Sequence, residues 1–401
     1  MVQNTQGRLR CLALQGGALA VCGVAILVWA GGVGGLAGAV DENCPFLGTD
    51  FLLHYYPTIA TGEPDAVWYY PPTIAILLTP MGWLAPETAN AVWKLFQLAL
   101  LALWAIGPPH LLRIRKTWLA VAYTVVTVLS VPVLQSFVWG QVSTGLAVVG
   151  LIAFLLLARR PWLSGVLLGI AISAKVYPVL WLAWPTARRA FKSIAAAGMT
   201  VAATAGLLPV LVYGAEGTLV FYRTVAEHLA HSLNTWIPTN EGPQFLPAVV
   251  SRLTETSQSV AVTVLSWGIA IALLGLLRRI SSGERENREL AGFAVAGGLF
   301  AFLVHTSWLH YFVHLPIAWL VLGSAALGAA RRIDRIVPAV LLAISIVFSS
   351  LPWQELVAGG LTGRYAASGW LAWANIAALA GIAWTCCELR RLEGHATGVT
   401  R

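Results

Sequence analysis

Apolar runs of about 18 residues or more follow one another along the chain, and each is long enough to cross the hydrocarbon of a bilayer as a helix. A backbone surrounded by lipid must satisfy its own hydrogen bonds, so such runs predict helices rather than loops or open sheets. The longest polar interval, residues 213–258, leaves no room for a separate soluble domain. The sequence therefore predicts one all-α polytopic membrane domain over residues 1–401, with about 10–13 transmembrane or half-membrane helices.

Basic residues lie in short clusters beside the apolar runs. The chain is 58% hydrophobic and 10% charged, so its net charge of +8 indicates membrane topology and no nucleic-acid partner. Two long acidic loops, residues 41–71 and 213–258, lie between the clusters, and we expect them on the extracytoplasmic side of a bacterial plasma membrane. Each loop is predicted to carry a surface helix, and that of the second loop is expected at residues 219–233. Under the positive-inside rule the cytoplasmic clusters are Arg8/Arg10, Arg113/Arg115/Lys116, Arg159/Arg160, Arg188/Arg189/Lys192, Arg278 to Arg288, Arg331/Arg332/Arg335 and Arg390/Arg391/Arg401.

Two segments leave the topology open. The first apolar run, residues 11–40, ends in Ala37-Gly38-Ala39, which resembles a signal-peptidase site, but its length favours an uncleaved anchor. Residues 72–107 must cross the membrane an odd number of times to match the charge pattern, whereas their length and prolines suggest a short and a long helix.

A lysine lies in the middle of a short interval between two cytoplasmic clusters. Only 27 residues separate Arg160 from Arg188, too few for two crossings. They predict a half-length helical hairpin with Lys175 and Pro178 at its tip, and broken helices are tolerated only where they line a protein-enclosed or watery cavity. Lys175 could snorkel to an interface. The alternative, which this setting favours, is a functional ammonium that binds an anionic phosphate.

The first outer loop concentrates aromatic and acidic residues. Phe51, Tyr55 and Ile59 recur at helical spacing, which predicts a short amphipathic helix on the membrane surface. Asp50 begins that helix, where its carboxylate could serve as an N-cap. It could instead be a general base held at the lipid–water boundary. His54, one turn later, is a candidate substrate ligand.

Further polar groups are expected on the same face of the membrane. They are Gln141 in a predicted outer turn, Gln244 and Arg252 in the second loop, and His310 near the start of a later span. Most of the 18 Trp and 10 Tyr belong to interfacial belts. A few aromatic residues are candidates for stacking on a sugar: Tyr69, Tyr70 and Trp308.

A metal site is the less favoured interpretation of the histidines. His310 and His314 have the i, i+4 spacing that can bind a metal. No third ligand follows at a recognisable spacing, and the chain has no Asp-x-Asp pair, so we expect no metal cofactor. In the favoured interpretation His310 hydrogen-bonds a substrate hydroxyl or phosphate, while His314 packs inside the bundle.

Taken in order over residues 49–316, these segments resemble the polyprenol-phosphate-mannose-dependent α-1,2-mannosyltransferase family of the GT-C superfamily. Asp50 with Tyr55/Tyr56 and then Tyr70-Pro71-Pro72 resembles the family's first loop, and Gly140-Gln141-Val142-Ser143 resembles its G-Q-x-N turn. Residues 165–178 resemble its G-V-L-L-G…K-x-x-P hairpin, Gln244 to Leu253 its N-Q-S-L…R-L loop, and Ser307 to Tyr311 its S-W-x-H-H turn. Ser143, Pro243, Phe245 and Tyr311 depart from these patterns.

The resemblance implies a GT-C-like helical bundle and a membrane glycosyltransferase. Such an enzyme moves a sugar, here mannose, from a polyprenyl phosphate to a glycolipid or glycan hydroxyl, with inversion and on the extracytoplasmic side. Asp50 is then the base, while Lys175, His310 and Arg252 stabilise the leaving phosphate. The lipid-linked sugar is a co-substrate, and no other cofactor is expected. The remaining predicted substrate-binding residues are Gln244, Gln141, Tyr70, His54 and Trp308.

Two alternatives stay open. The donor could carry another sugar, such as arabinofuranose or glucose. The chain could also be a transporter or flippase of lipid-linked sugar, which would account for the intramembrane lysine and the broken helices. Alternating access needs polar lining towards both sides of the membrane, however, and the polar residues here are predicted to gather on one face.

Overall fold

A computed structural model describes residues 2–36, 48–112, 114, 116–237, 240–282, 288–329, 331–350 and 363–398. The secondary structure of these residues is helical throughout and contains no strand, which confirms the all-α prediction. Six described helices are long and apolar enough to cross a membrane, a bent pair would make a seventh, and four shorter apolar helices accompany them. The chain is a polytopic membrane protein. Residues 41–47 of the predicted first loop lie outside the described residues.

The apolar segments account for most of the bundle. The six long ones are Gly7–Ala25 within the helix Val2–Leu36, Pro86–Leu111, Phe191–Asn234, Val260–Ser281, Leu309–Gly328 and Arg332–Ser350. The bent pair is Thr117–Val128 and Val131–Trp139, at 54°, and the shorter helices are Thr73–Trp83, Ser143–Leu156, Pro161–Ala174 and Trp370–Cys386. Between them lie Phe51–Tyr55, Tyr56–Thr61, Tyr177–Leu182, Ala183–Ala187, Leu246–Thr254, Arg288–Gly298, Phe300–Leu303 and Gly363–Ala367.

The segment 72–107 contains a short and a long helix, as its length suggested. Thr73–Leu78 continues into the 3₁₀ turn Thr79–Trp83, and Pro86–Leu111 follows. Pro80 and Pro86 both stand in the first turn of their helices, where a missing N–H costs no hydrogen bond.

The predicted half-length hairpin is confirmed. The helix Pro161–Ala174 ends at Lys175, whose backbone is extended (φ −147°, ψ 139°), and the chain returns through Tyr177–Leu182. Gly165 and Gly169 allow the helix Phe191–Val201 to pack closely against it, because a Cβ at Gly165 would lie 2.2 Å from the carbonyl oxygen of Ser193. Small residues four apart are a common way for membrane helices to approach each other.

Both predicted surface helices are present as local structure. Residues 51–61 form a π-helical turn followed by an α-helical one, with Phe51, Tyr55 and Ile59 buried as their spacing predicted. The helix Leu208–Asn234 is interrupted at Gly214, where φ is 74°, a left-handed conformation that favours glycine. The part beyond Gly214 contains the second predicted amphipathic stretch.

The N-terminal helix Val2–Leu36 packs against the bundle through Gln15. The Gln15 amide donates to Thr124 Oγ1 at 3.0 Å, and its oxygen lies 2.7 Å from His110 Nε2. These bonds satisfy the buried Gln15 amide, which would be costly to leave without partners inside a membrane. Retention of this helix as an anchor stays a prediction.

Candidate active site

Four segments that are distant in sequence enclose a cavity of about 250 Å³. They are residues 50–70 of the first loop, the helix Val131–Trp139 with its following turn, the second-loop residues Trp236, Asn240 and Gly242, and residues 308–310. The polar lining residues are Asp50, His54, Gln135, Gln141, Asn240 and His310, and the aromatic ones are Tyr55, Trp68, Tyr69, Tyr70, Trp139, Trp236 and Trp308. The structure thus brings six of the nine predicted site residues, all except Lys175, Gln244 and Arg252, to one wall.

Gln141 joins the predicted base to the predicted phosphate ligand. Its Nε2 donates to the Asp50 carboxylate, and its Oε1 accepts a hydrogen bond of 2.6 Å from Lys175 Nζ. The Tyr55 hydroxyl donates to the same Oε1 at 3.1 Å. One amide therefore holds a negative and a positive group on its two sides, and this geometry fixes the position of the Asp50 carboxylate.

Asp50 does not act as an N-cap. Its backbone is helical (φ −65°, ψ −35°) and its side chain makes no capping hydrogen bond, whereas N-cap residues usually adopt β-region angles. Burial raises the pKa of the Asp50 carboxyl, and the Gln141 hydrogen bond with the charges of His54, Lys175 and Lys94 acts in the opposite direction. A carboxylate with a raised pKa is the stronger base, which suits proton abstraction from a hydroxyl.

Lys175 is fully buried and lies directly behind the cavity wall. Its Nζ is 3.4 Å from His310 Nε2, and it lies 4.8 Å from the ring centroid of Tyr70 and 5.1 Å from that of Tyr311. Aromatic faces at these distances attract an ammonium. Tyr311, which departs from the family pattern, therefore has a role here as a ring packed on the lysine. Lys175 itself is not a lining residue; Gln141, His310 and Tyr70 are.

The two histidines have different surroundings. His310 lines the cavity, and its buried Nδ1 has no hydrogen-bond partner within the described part of the chain. His314 Nε2 lies 3.0 Å from Asn375 Oδ1 inside the bundle, which confirms that His314 packs in the core. Among the described residues no group of three or more His, Cys, Asp or Glu side chains is placed to hold a metal ion.

Two other predicted residues are oriented by neighbours that the sequence did not reveal. His54 Nδ1 lies 3.0 Å from Asp65 Oδ1, which leaves Nε2 as the nitrogen available to a ligand. Trp308 stacks on Trp236, with ring centroids 5.7 Å apart. A Cβ at Gly242 would lie 2.5 Å from the Trp308 ring, so the indole depends on that glycine for its space.

Gln244 and Arg252 are not brought to the cavity. Gln244 Nε2 donates to the carbonyl of Ala366 at 3.0 Å, and the Arg252 guanidinium donates to the carbonyl of Pro243 at 2.8 Å. Both side chains tie the second loop to the segment Gly363–Ala367 and are absent from the cavity lining. The geometry gives no support to their predicted contact with substrate and assigns them to holding the loop.

One face of the helix Pro86–Leu111 supports the site from behind. Trp93 Nε1 donates to the carbonyl of Gly140 at 2.7 Å, and Gln97 Nε2 donates to that of Gln141 at 2.8 Å. Lys94 Nζ donates to the carbonyl of Val138 at 3.1 Å. Sequence reasoning missed this face, although polar residues at positions 90, 94 and 97 of an apolar helix were a visible signal.

A carboxylate and an ammonium bridged by an amide, beside an aromatic-walled cavity in a helical bundle, define a polytopic membrane protein with a partly enclosed acid–base site. The sequence profile described as Glycosyltransferase family 87 matches residues 68–306, more than half of the chain, and the chain belongs to that family. The resemblance seen in the motifs is thereby confirmed. Asp50 precedes the matched range and His310 follows it.

Curated relatives agree with this assignment. A "Polyprenol-phosphate-mannose-dependent alpha-(1-2)-phosphatidylinositol mannoside mannosyltransferase" of Mycobacterium tuberculosis is 28% identical over 287 residues, which are 66% of this chain and 63% of the relative. A protein of the same name from Mycolicibacterium smegmatis is 30% identical over 302 residues, 68% of this chain and 64% of the relative. The chain thus spans less than two thirds of the length of these two relatives.

A third relative is matched over more of its length. The "Polyprenol-phosphate-mannose-dependent alpha-(1-2)-phosphatidylinositol pentamannoside mannosyltransferase" of Mycolicibacterium smegmatis is 27% identical over 344 residues, 84% of this chain and 81% of the relative. No solved structure matches this chain.

Proposed function

We propose that this protein transfers mannose from a polyprenyl-phosphate donor to a hydroxyl of a glycolipid, with inversion at the anomeric carbon. The observation that carries the proposal is the arrangement Asp50–Gln141–Lys175 at the wall of the cavity. It places a base and a cation on either side of one fixed amide. The names of the relatives supply the substrate class, a polyprenol-phosphate mannose and a phosphatidylinositol mannoside.

The two charged groups act on opposite ends of the displacement, one on the attacking hydroxyl and the other on the leaving phosphate. Asp50 takes the proton of the acceptor hydroxyl while that oxygen forms a bond to the anomeric carbon. The bond from this carbon to the phosphate oxygen breaks, its electron pair leaves with the phosphate, and attack from the opposite face inverts the centre. The Lys175 ammonium stabilises the charge that develops on the phosphate, and an N–H of His310 can donate to it from the wall.

An apolar crevice beside the cavity supports a donor with a lipid chain. It has a volume of about 220 Å³ and lies between the helices Thr73–Leu78, Pro86–Leu111 and Ser143–Leu156. Gln141 lines both the crevice and the cavity, and Ala174, next to Lys175, lines the crevice. A polyprenyl chain lying there would bring its phosphate to Gln141, directly in front of Lys175.

The aromatic wall suits a sugar acceptor. Trp308, backed by Trp236, offers a flat ring on the cavity side, and sugars stack on such faces through their C–H groups. Because the leaving group is a lipid monophosphate, an ammonium and an imidazole supply the stabilisation that this mechanism needs, and we expect transfer to persist in the presence of a metal chelator.

The test of the reaction is product analysis with purified protein and a panel of polyprenyl-phosphate sugars: mannose, arabinofuranose and glucose. With a phosphatidylinositol mannoside acceptor, we expect mass spectrometry to show one added hexose from the mannosyl donor, and linkage analysis to show an α-bond. Transfer of arabinose or glucose instead would replace the donor assignment. Movement of lipid-linked sugar across vesicles without any new glycoside would support the transporter alternative.

We propose further that the cavity opens to the extracytoplasmic face of the plasma membrane, because the basic clusters lie on the opposite ends of the helices. The exposed Glu63 of the first loop and the exposed Lys192 of a basic cluster provide matched reporters. In sealed cells, and in a protein whose five native cysteines have been replaced because Cys44 lies in the first loop, a Glu63→Cys variant is expected to react with an impermeant maleimide, and a Lys192→Cys variant only after lysis. The reverse pattern would contradict the orientation.

A further inference from the structure

Lys94 is a half-buried cation that the proposed reaction does not use directly. Its ammonium donates to three oxygens: Gln97 Oε1 at 3.2 Å, the carbonyl of Val138 at 3.1 Å, and the carbonyl of Phe137. An ammonium has three donors and no acceptor, so three oxygen partners match its protonated form and satisfy it completely. Ionisable residues inside membrane helices are expensive and are usually retained for a function.

The carbonyls bound by Lys94 end the helix Val131–Trp139. The last carbonyls of a helix lack partners within it and carry partial negative charge, so a cation from a neighbouring helix stabilises them. Trp93 and Gln97 continue the same contact onto the carbonyls of Gly140 and Gln141. The helix that carries Lys94 therefore fixes the backbone of the turn from which the Gln141 side chain reaches the base.

The start of the Asp50 loop rests on the same turn. The carbonyl of Val138, bound by Lys94, also accepts the N–H of Gly48 at 2.7 Å, two residues before the base. Gly140 has a φ of 79°, and a Cβ there would lie 2.8 Å from Phe51 Cβ, so the loop lies directly on this turn. A shift of the Val138 carbonyl would move both Gln141 and Asp50.

We propose that Lys94 is a positioning residue for the base: its ammonium fixes the turn that carries Gln141 and the start of the Asp50 loop. Its charge adds an electrostatic effect on the carboxylate. The proposal deepens the proposed function and rests on it, because it takes Asp50 as the base. The two lysines differ in their hydrogen bonds. The Lys94 ammonium has three oxygen partners, whereas the Lys175 ammonium has one short hydrogen bond to oxygen and otherwise contacts an imidazole and aromatic faces.

The electrostatic part has a definite sign. Three groups lower the pKa of Asp50 against the effect of burial: His54 from its own helix, Lys175 from the hairpin and Lys94 from the helix Pro86–Leu111. Tyr55 and Tyr70 are further titratable groups that interact with the carboxylate. Removing the Lys94 charge therefore raises the pKa of Asp50. The base is then protonated at pH values where it is ionised in the unchanged protein, and the acid limb of the rate profile moves to higher pH.

The experiment compares Lys94→Met, Lys94→Arg and, as a matched control, the exposed Lys192→Met, each in the full-length protein with the mannosyl donor. We expect Lys94→Met to lower kcat by about tenfold at the plateau, to leave the donor KM near that of the unchanged protein, and to move the acid limb to higher pH. Lys94→Arg keeps the charge but not the three-oxygen geometry, so it should lower kcat without moving the limb. Lys192→Met should match the unchanged protein.

Three results would overturn the proposal. One is an unchanged kcat and acid limb in Lys94→Met. Another is a loss of kcat in Lys94→Met that follows its loss of thermal stability, with no movement of the limb, which would mean a merely structural lysine. If Lys94→Met does not fold, the Lys94→Arg profile decides, and an unchanged kcat or a shifted limb contradicts the proposal. Failure of the unchanged protein to transfer any sugar would instead refute the proposed function. The proposal for Lys94 would then fall as well, because it takes Asp50 as the base of that reaction.

Discussion

Asp50→Asn is expected to give a folded protein whose turnover is lower by roughly 10²-fold or more. Asparagine has the size of aspartate, and its side-chain oxygen can still accept the hydrogen bond from Gln141 Nε2, so the bridge to Lys175 is retained. The amide cannot take up the acceptor's proton, and the loss should therefore appear in kcat. Donor binding, measured separately with the polyprenyl phosphate, should stay near that of the unchanged protein.

The structure sharpens the control for this experiment. Because Asp50 makes no capping hydrogen bond, loss of an N-cap cannot account for a fall in turnover. Glu63→Gln in the same loop removes an exposed acid and should cost little. Asp65, although it also lies in this loop, is not a neutral control, because it bonds His54. Near-normal turnover of Asp50→Asn would end its assignment as the base and direct attention to His310.

Lys175→Met should produce the second large effect, a fall of roughly 10²-fold in kcat/KM for the donor. Methionine nearly fills the fully buried slot but removes the charge behind the cavity wall and the hydrogen bond to Gln141. Lys175→Arg keeps the charge and should retain part of the activity, although the larger guanidinium must fit between Tyr70 and Tyr311.

Steady-state kinetics with varied donor, together with thermal unfolding in detergent, would check this expectation. Arg252→Met is an informative comparison, because Arg252 was also predicted to stabilise the phosphate but binds backbone carbonyls in the structure. We expect it to reduce stability without a selective loss of donor use. A Lys175→Met protein that uses the donor normally would show that the lysine serves the fold alone.

Much of the architecture was determined by the sequence by itself. Helix length and hydropathy fixed the all-α membrane bundle, because lipid admits few other arrangements of backbone hydrogen bonds. The 27 residues between Arg160 and Arg188 were enough to predict the half-length hairpin, and the spacing of Phe51, Tyr55 and Ile59 was enough to predict a buried helical face. These are local properties of length and period, which a single sequence carries.

Only the tertiary structure decided which polar side chains meet. Gln244 and Arg252 lie in the expected loop, yet both side chains donate to the backbone carbonyl of Ala366, more than 100 residues away in sequence. Lys175 lies behind the cavity wall and donates a hydrogen bond to Gln141. Lys94, to which the sequence assigned no role, donates to the carbonyl of Val138 in the turn beneath the base. A backbone carbonyl looks the same at every position of a sequence, so a side chain whose partner is a distant carbonyl gives no sequence signal of its direction.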